Sequence, residues 1–227
     1  MKHLLRGLLI VFLGVCATPM TKTHAQTVTF GFEKEKVTMA ELDERFKNEW
    51  NKPAYTKCAT ANNTQLTDKE KKIFYYLNLA RINPRLFAST YAASYEGANG
   101  YAEDESFEGN KKSLVADLNK LTTLPLLYPD SVLYELAYCH AKSIGEKGIE
   151  THDRKLSGCP DLEGAFGENI SFGKLNALDV VMSLLIDAGV PSLGHRINCL
   201  NKDYNRMGLS VQPHTTFSED AVLDFGE

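Results

Sequence analysis

The chain has 227 residues and a formal net charge of −4 at pH 7, with 43% hydrophobic and 24% charged residues. This length suits one domain with a small addition better than two full domains. The acidic balance argues against a nucleic-acid-binding protein, because contact with phosphates requires clusters of Lys and Arg.

The first 25 residues have the pattern of a secretory signal peptide. Lys2 and Arg6 precede an apolar run over residues 8–17, and a small-residue cleavage site ends at Ala25. The apolar run is shorter than the ~20 residues that span a bilayer, and no later run is longer, so we predict no transmembrane segment in the mature form. Loss of the leader also removes Lys22 and takes the charge to −7. We expect a protein that is secreted, periplasmic or held at the cell surface.

Cysteine usage agrees with export. Cleavage of the leader removes Cys16 and leaves Cys58, Cys139, Cys159 and Cys199. An even number of cysteines in an oxidising compartment predicts two disulfides. Three connectivities are open, and we favour Cys58 with Cys139 and Cys159 with Cys199. The alternative is four buried thiols.

An N-terminal extension is predicted over residues 26–63, ahead of a main domain over 64–227. Apolar residues alternate with polar ones over 28–32, as in a strand. The charged stretch 41–50 predicts a short helix. The role of this extension is open.

Helix signals become strong at Thr67. Thr67 and Glu70 form the sequence pattern of a capping box, and apolar residues follow at helical spacing. A second helix is expected to open at Pro84, with Asn83 as its cap. Residues 95–110 are rich in Gly, Glu and Asp and predict a solvated loop.

Two further helices are predicted in the middle of the chain, over residues 113–121 and 130–147. The second has a continuous apolar stripe and a natural stop at Gly148. His140 lies inside this stripe. We interpret it as a core histidine with one nitrogen hydrogen-bonded, and a role facing a cleft is the alternative.

The last third of the chain predicts short alternating elements. A strand is expected over residues 168–172, a helix over 176–187, and two neighbouring strands over 207–211 and 221–225. Helices that precede and separate late, hairpin-like strands favour an α+β or layered α/β/α arrangement over a parallel doubly wound sheet.

Four residues in this region are candidates for a functional site: His152, Glu168, Asp187 and His195. Imidazoles and carboxylates are ligands for divalent metals and also carry general acid/base chemistry. His195 is expected in the first turn of a helix capped by Ser192, where the helix dipole keeps an imidazole neutral. For each residue a structural role is the alternative: a loop position for His152, a turn for Glu168, and for Asp187 the end of its helix or a pair with Arg196.

A family resemblance rests on several short motifs. The sequence reads Gly-Glu-Asn-Ile at 167–170, Gly-His-Arg at 194–196 followed by Asn198, and Leu-Ala-Arg at 79–81. In order and spacing these motifs resemble secreted bacterial members of the CAP superfamily, also called SCP/TAPS. The resemblance extends over residues 67–225.

The resemblance implies an α+β fold built as a three-layer α/β/α sandwich, with a cleft lined by two His and two acidic residues. The first His corresponds to His152, the motif Glu to Glu168 and the second His to His195. Asp187 stands where the family usually has Glu, and Leu184 stands where it has an aromatic residue. The shorter acid would affect the geometry of a metal site more than the fold.

Family members are described as binders of sterols, lipids or partner proteins, so the resemblance implies a binding function for this chain. The expected partners are a lipid- or sterol-like ligand or an extracellular protein, with Zn²⁺ as a metal that His152 and His195 would hold weakly. The alternative is a metal-dependent hydrolase or protease in which Glu168 or Asp187 acts as a base. Two imidazoles fall short of the about three protein ligands of a catalytic zinc. A nucleophilic Cys199 is not favoured, because an exported thiol tends to pair.

Overall fold

The computed structural model describes residues 37–60, 62–98, 100–161 and 167–227. The predicted signal peptide and the alternating segment 28–32 lie outside the described residues. The helices and strands are α1 (Met39–Trp50), α2 (Asp68–Ile82), α3 (Pro84–Phe87), α4 (Phe107–Lys120), β1 (Tyr128–Pro129), α5 (Ser131–Lys147), α6 (Arg154–Ser157), β2 (Gly167–Phe172), α7 (Ala177–Ile186), α8 (Gly194–Cys199), β3 (Arg206–His214) and β4 (Ser218–Gly226). In the part of the chain that is described, no helix is both long enough and apolar enough to cross a bilayer.

Three of the helix ends predicted from local signals are confirmed. Thr67 and Glu70 form a reciprocal capping box at the start of α2. Asn83 caps α3, which opens at Pro84. Helix α5 ends at Gly148, which adopts the left-handed conformation that glycine tolerates best. These signals are local hydrogen bonds and backbone preferences, which is why sequence alone reveals them.

One helix starts earlier than predicted. Helix α4 begins at Phe107, inside the stretch 95–110 that composition predicts to be a loop. Phe107 is fully buried, and its ring packs against the rings of Tyr95 and Tyr101. Phe107 stands alone among polar residues in the sequence. The apolar period of α4 is therefore hard to recognise until the packing of Phe107 is known.

The sheet has four strands in the order β1-β3-β4-β2. Strand β4 pairs in antiparallel fashion with both β3 and β2, while β1 adds a short parallel pairing to β3. The two late strands predicted from alternation are therefore neighbours, as expected. Helix α5 covers one face of the sheet, and α2 and α7 pack together over the other face. The result is the predicted α+β fold, a three-layer α/β/α sandwich.

The predicted N-terminal extension shares the main core. Leu42 and Trp50 of α1 are buried in the same apolar cluster as α2 and α7. The indole nitrogen of Trp50 donates a hydrogen bond to the Thr90 hydroxyl at 3.1 Å. Helix α1 is thus packed against the body of the protein.

The predicted disulfide pairing is wrong. Cys139 of α5 bonds to Cys159, while Cys58 and Cys199 are free and buried. Neither the Cys58–Cys139 bond nor the Cys159–Cys199 bond forms. The short helix α6 packs against α5 and brings Cys159, two residues beyond its end, to Cys139. This contact depends on tertiary packing, which cysteine spacing does not encode.

Candidate functional site

His152 is held by a buried carboxylate. It lies in the segment between α5 and α6, and Glu168 is the second residue of β2. The Nδ1–H of His152 donates to Oε1 of Glu168 at 2.7 Å. The imidazole is 61% exposed, whereas the Glu168 side chain is only 4% exposed. A fixed acid thus orients an accessible ring.

Glu168 belongs to a buried charge cluster that the sequence did not reveal. Arg154 of α6 donates to Glu168 and to both carboxyl oxygens of Asp224, at 2.8 and 2.7 Å. Burial by itself raises the pKa of Glu168, but the hydrogen bond from His152 and the charge of Arg154 outweigh it and leave this pKa below its usual value. Burial raises the pKa of Asp224 to about 7. The sequence feature that could have indicated this cluster is Asp224, a charged residue inside the otherwise apolar strand 221–225.

His140 supports this cluster from within the core. It is fully buried, with Nδ1 at 2.9 Å from the Ser157 hydroxyl and Nε2 at 2.9 Å from the carbonyl oxygen of Thr151. Burial lowers its pKa, so the neutral ring is favoured. The core interpretation is confirmed, although both nitrogens have partners. His140 stabilises the segment that precedes His152.

The second pair joins Asp187 to His195. Oδ1 of Asp187 accepts from Nδ1–H of His195 at 2.7 Å, and Oδ2 accepts from the His195 backbone N–H at 2.9 Å. The Asp187 side chain is 1% exposed, and the imidazole is 23% exposed. The expected cap by Ser192 is wrong: Leu193 occupies the N-cap position without a side-chain bond, and Asp187 serves the first turn of α8. Asp187 follows α7 and has a left-handed backbone conformation. In this position its carboxylate reaches the backbone and ring N–H groups of His195.

The guanidinium of Arg196 does not pair with the Asp187 carboxylate, which was one structural alternative for Asp187. Its guanidinium donates to the carbonyl oxygens of Leu185 and Ile186 and to the Asp117 carboxylate. It therefore anchors α8 to α7 and α4. The link between Arg196 and Asp187 is a longer backbone contact of 3.3 Å.

Two asparagines connect the strand of one pair to the helix of the other. The Asn169 amide donates to the carbonyl oxygen of His195 at 3.0 Å. The Asn198 amide donates to the carbonyl oxygen of Glu168 at 3.3 Å and to Oδ1 of Asn169 at 2.9 Å. These bonds fasten β2 to α8 and give a physical role to the asparagines of both motifs. The structure therefore arranges the four candidates as two His–carboxylate pairs on joined elements.

The donor set partly fits a metal. In both pairs the carboxylate occupies Nδ1, which leaves Nε2 as the nitrogen able to bind a cation and matches the usual carboxylate support of a metal-bound histidine. The two acids point at the rings and are not free ligands. Within the described ranges, no group of three or more His, Cys, Asp or Glu side chains is placed to hold a metal ion. The residues are better suited to bind a metal through two imidazole nitrogens than to form a zinc site with three protein ligands.

Cys199 lacks the properties of a nucleophile. It is fully buried, and its thiol lies 3.2 Å from the Asn169 amide. Burial raises the pKa of this thiol to about 12. Because the thiolate is the reactive form, burial and the raised pKa both disfavour Cys199 as a nucleophile.

Replacing Arg154 by Met is expected to destabilise the protein by ~3 kcal/mol at pH 7, because it leaves two buried carboxylates without their cation. The loss should shrink at lower pH, where the carboxyl groups of Glu168 and Asp224 can be protonated. Urea unfolding at pH 5 and pH 7 measures both effects. The matched control is Arg206→Met, which removes a partly exposed pair with Asp130 and should cost under ~1 kcal/mol. Similar losses for the two arginines would contradict the prediction.

The chain is thus an α+β protein of the three-layer α/β/α class, with one His–carboxylate pair at β2 and a second at α8. Residues 74–223, well over half of the chain, match the model of the cysteine-rich secretory protein family, CAP. The chain belongs to the CAP family, as the motif resemblance predicts.

Among solved structures, the chain is similar to a hookworm platelet inhibitor, with 17% sequence identity. The similarity covers 76% of each chain, with a TM-score of 0.40. No curated protein matches the chain.

Proposed function

We propose that this CAP-domain chain is an exported binding protein that captures a lipid- or sterol-like ligand or an extracellular protein at its two His–carboxylate pairs. The observation that carries the proposal is the shared geometry of the pairs. In each, a buried acid holds Nδ1 of an imidazole that is at least partly accessible, so Nε2 is presented in a fixed orientation. Preorganised polar groups of this kind lower the entropic cost of binding. A Cys139–Cys159 disulfide agrees with an oxidising, extracellular location.

Binding is favoured over hydrolysis by what the carboxylates already do. Glu168 accepts from His152 and Arg154, and Asp187 accepts from the ring and backbone of His195. A general base needs a lone pair directed at a water or substrate proton. Both acids instead serve as structural partners of the rings.

A divalent metal such as Zn²⁺ would be held by Nε2 of His152 and Nε2 of His195. It would supply a positive centre for a polar group of the ligand. With two protein nitrogens the site would be weak, because structural and catalytic zinc sites ordinarily use three or four protein ligands.

Calorimetric titration of the mature protein with ZnCl₂ tests the metal part of the proposal. We expect saturable heat in the native protein and at least a tenfold loss of affinity in His152→Ala and His195→Ala, since each removes one of two ligands. The control is Ile197→Ala, which changes an exposed side chain on the same helix as His195. Equal heats in all four proteins would exclude metal binding at these rings.

Capture assays separate binding from hydrolysis. We expect labelled cholesterol or fatty acid to co-elute with the native protein and with Glu168→Gln, without turnover of ester or peptide substrates. Zinc-dependent hydrolysis that disappears in Glu168→Gln would contradict the binding proposal and support a metal-dependent hydrolase.

A further inference from the structure

A separate cavity of about 370 Å³ lies between helix α1 and the body of the protein. Its wall includes Trp50, Tyr55, Tyr75 and Tyr91, and its polar groups include Asp43 and Lys52. None of the four His–carboxylate site residues lines it. Its volume lies in the range of small-molecule sites, ~300–1,000 Å³.

The Trp50 ring contacts two other aromatic rings of the wall. The Trp50 ring centre lies 4.8 Å from that of Tyr55 and 6.0 Å from that of Tyr91. Trp50 and Tyr91 are buried, while Tyr55 and Tyr75 are partly exposed. Partly exposed rings offer electron-rich faces to a ligand, and such faces attract organic cations.

Asp43 places a negative charge beside these rings. Its two carboxyl oxygens accept hydrogen bonds from the hydroxyls of Tyr76, at 2.5 Å, and Tyr91, at 2.8 Å. Burial is the main cause that raises the pKa of both tyrosines, so both hydroxyls remain donors to the Asp43 carboxyl group. Among the ion pairs of the described residues, none involves Asp43. The tyrosine hydroxyls orient this charge but do not neutralise it.

The negative charge of the cavity lies deeper than its positive charges. Asp43 is partly buried, whereas Lys52 and Lys47 are exposed. Lys47 is paired with Glu44 at 2.7 Å, and no ion pair of the described residues involves Lys52. A ligand that fits this order carries a cationic group toward the rings and Asp43 and an anionic group toward Lys52.

We propose that this cavity binds a small zwitterion of the phosphocholine type, with its quaternary ammonium against the aromatic rings and Asp43 and its phosphate beside Lys52. Aromatic rings and a carboxylate suit an ammonium that cannot donate hydrogen bonds, because the attraction is electrostatic and needs no donor geometry. The same group occurs free and as a lipid head group. The site is independent of the His152–His195 proposal.

Intrinsic fluorescence tests the proposal directly, because Trp50 is the chain's single tryptophan and lies in the cavity wall. The mature protein is titrated with choline, phosphocholine, inorganic phosphate and glucose. Choline and phosphocholine should give saturable changes, with phosphocholine at least ~threefold tighter through its second charge. Saturation by glucose but not by choline, or no saturation by either choline compound, would overturn the proposal.

Three variants test the charge order. Asp43→Asn should weaken choline and phosphocholine about tenfold, because it removes the charge that faces the ammonium. Lys52→Ala should weaken phosphocholine and leave choline unchanged. Lys57→Ala, an exposed lysine of the same segment outside the cavity, is the control and should bind both as the native protein does. An equal effect of Lys52→Ala on both ligands would contradict the assignment, and this comparison stands even if Asp43→Asn does not fold.

Vesicles identify the source of the head group. Flotation with phosphatidylcholine vesicles that is inhibited by soluble phosphocholine would assign a lipid surface. Saturable binding of phosphocholine without flotation would assign a free small molecule. The double variant His152→Ala/His195→Ala should behave as the native protein in both assays, and a loss there would show that the fluorescence change arises from the other site and would overturn the proposal.

Discussion

Replacing Asp220 by Asn is expected to stabilise the protein strongly above pH 8 and to leave its stability below pH 4 nearly unchanged. Asp220 lies in β4 beneath α5 and is 1% exposed. Within the described structure neither of its carboxyl oxygens makes a hydrogen bond of good geometry, and the nearby backbone of Gln212 on β3 lowers its pKa only in part. Burial is the main cause that raises its pKa from 3.8 to about 8. The folded protein therefore favours the neutral acid, which Asn resembles in size and charge.

The direction of the pH effect follows from proton linkage. Between about pH 4 and pH 8 the folded chain keeps a proton on Asp220 that the unfolded chain releases, so stability falls as pH rises through this range. At ~1.4 kcal/mol per pKa unit, a shift from 3.8 to about 8 corresponds to ~6 kcal/mol. Asp224, whose pKa is also raised, contributes a smaller fall up to about pH 7 in both proteins.

Urea unfolding from pH 4 to pH 9 measures this prediction. The native curve should fall and the Asp220→Asn curve should be much flatter, with the two meeting at the acid end. Asp203→Asn changes an exposed carboxylate and should follow the native curve. Parallel curves for native protein and Asp220→Asn would show that the buried acid is not protonated in the folded state.

The second large effect is expected for Gly208→Ala. Gly208 lies in β3 where the first turns of α5 cross the sheet. A Cβ atom at this position would lie 2.0 Å from the backbone carbon of Leu133 and 2.1 Å from its oxygen. Backbone atoms of a packed helix cannot rotate away as a side chain can, so α5 would have to move off the sheet. We expect a loss of ~4 kcal/mol in the free energy of unfolding.

Gly109→Ala is the matched control for Gly208→Ala. Gly109 lies in α4, and a Cβ atom there meets nothing within 4 Å. Alanine in an exposed helix position should stabilise the protein by up to ~1 kcal/mol. Opposite signs for the two substitutions in thermal unfolding would support the close approach of α5. A small effect of Gly208→Ala would mean that helix and sheet are further apart.

Stability and site geometry are linked at Asp187. The same carboxylate serves the backbone N–H of His195 in the first turn of α8 and orients the His195 ring. The short Asp187 side chain reaches both groups at hydrogen-bond length, 2.9 and 2.7 Å. The end of α7 and the orientation of the His195 ring therefore depend on one side chain.

The sequence by itself determined the features that depend on near neighbours. Thr67 with Glu70, Asn83 with Pro84, and Gly148 mark helix ends through contacts within a few residues, and all are observed. Alternation predicted the late strands, and the motifs at 167–170 and 194–196 identified the family before any contact was known. Local backbone preference and hydrophobic period act over short distances, so they can be recognised without the fold.

Tertiary structure alone decided what depends on residues far apart in the chain. The Cys139–Cys159 bond, the burial of Phe107 and the charge cluster around Arg154 each require elements to pack before their partners meet. The cap of α8 by Asp187, instead of the nearer Ser192, follows the same principle. Spacing along a chain does not set distances in space, because long connections can close in many ways at similar entropic cost.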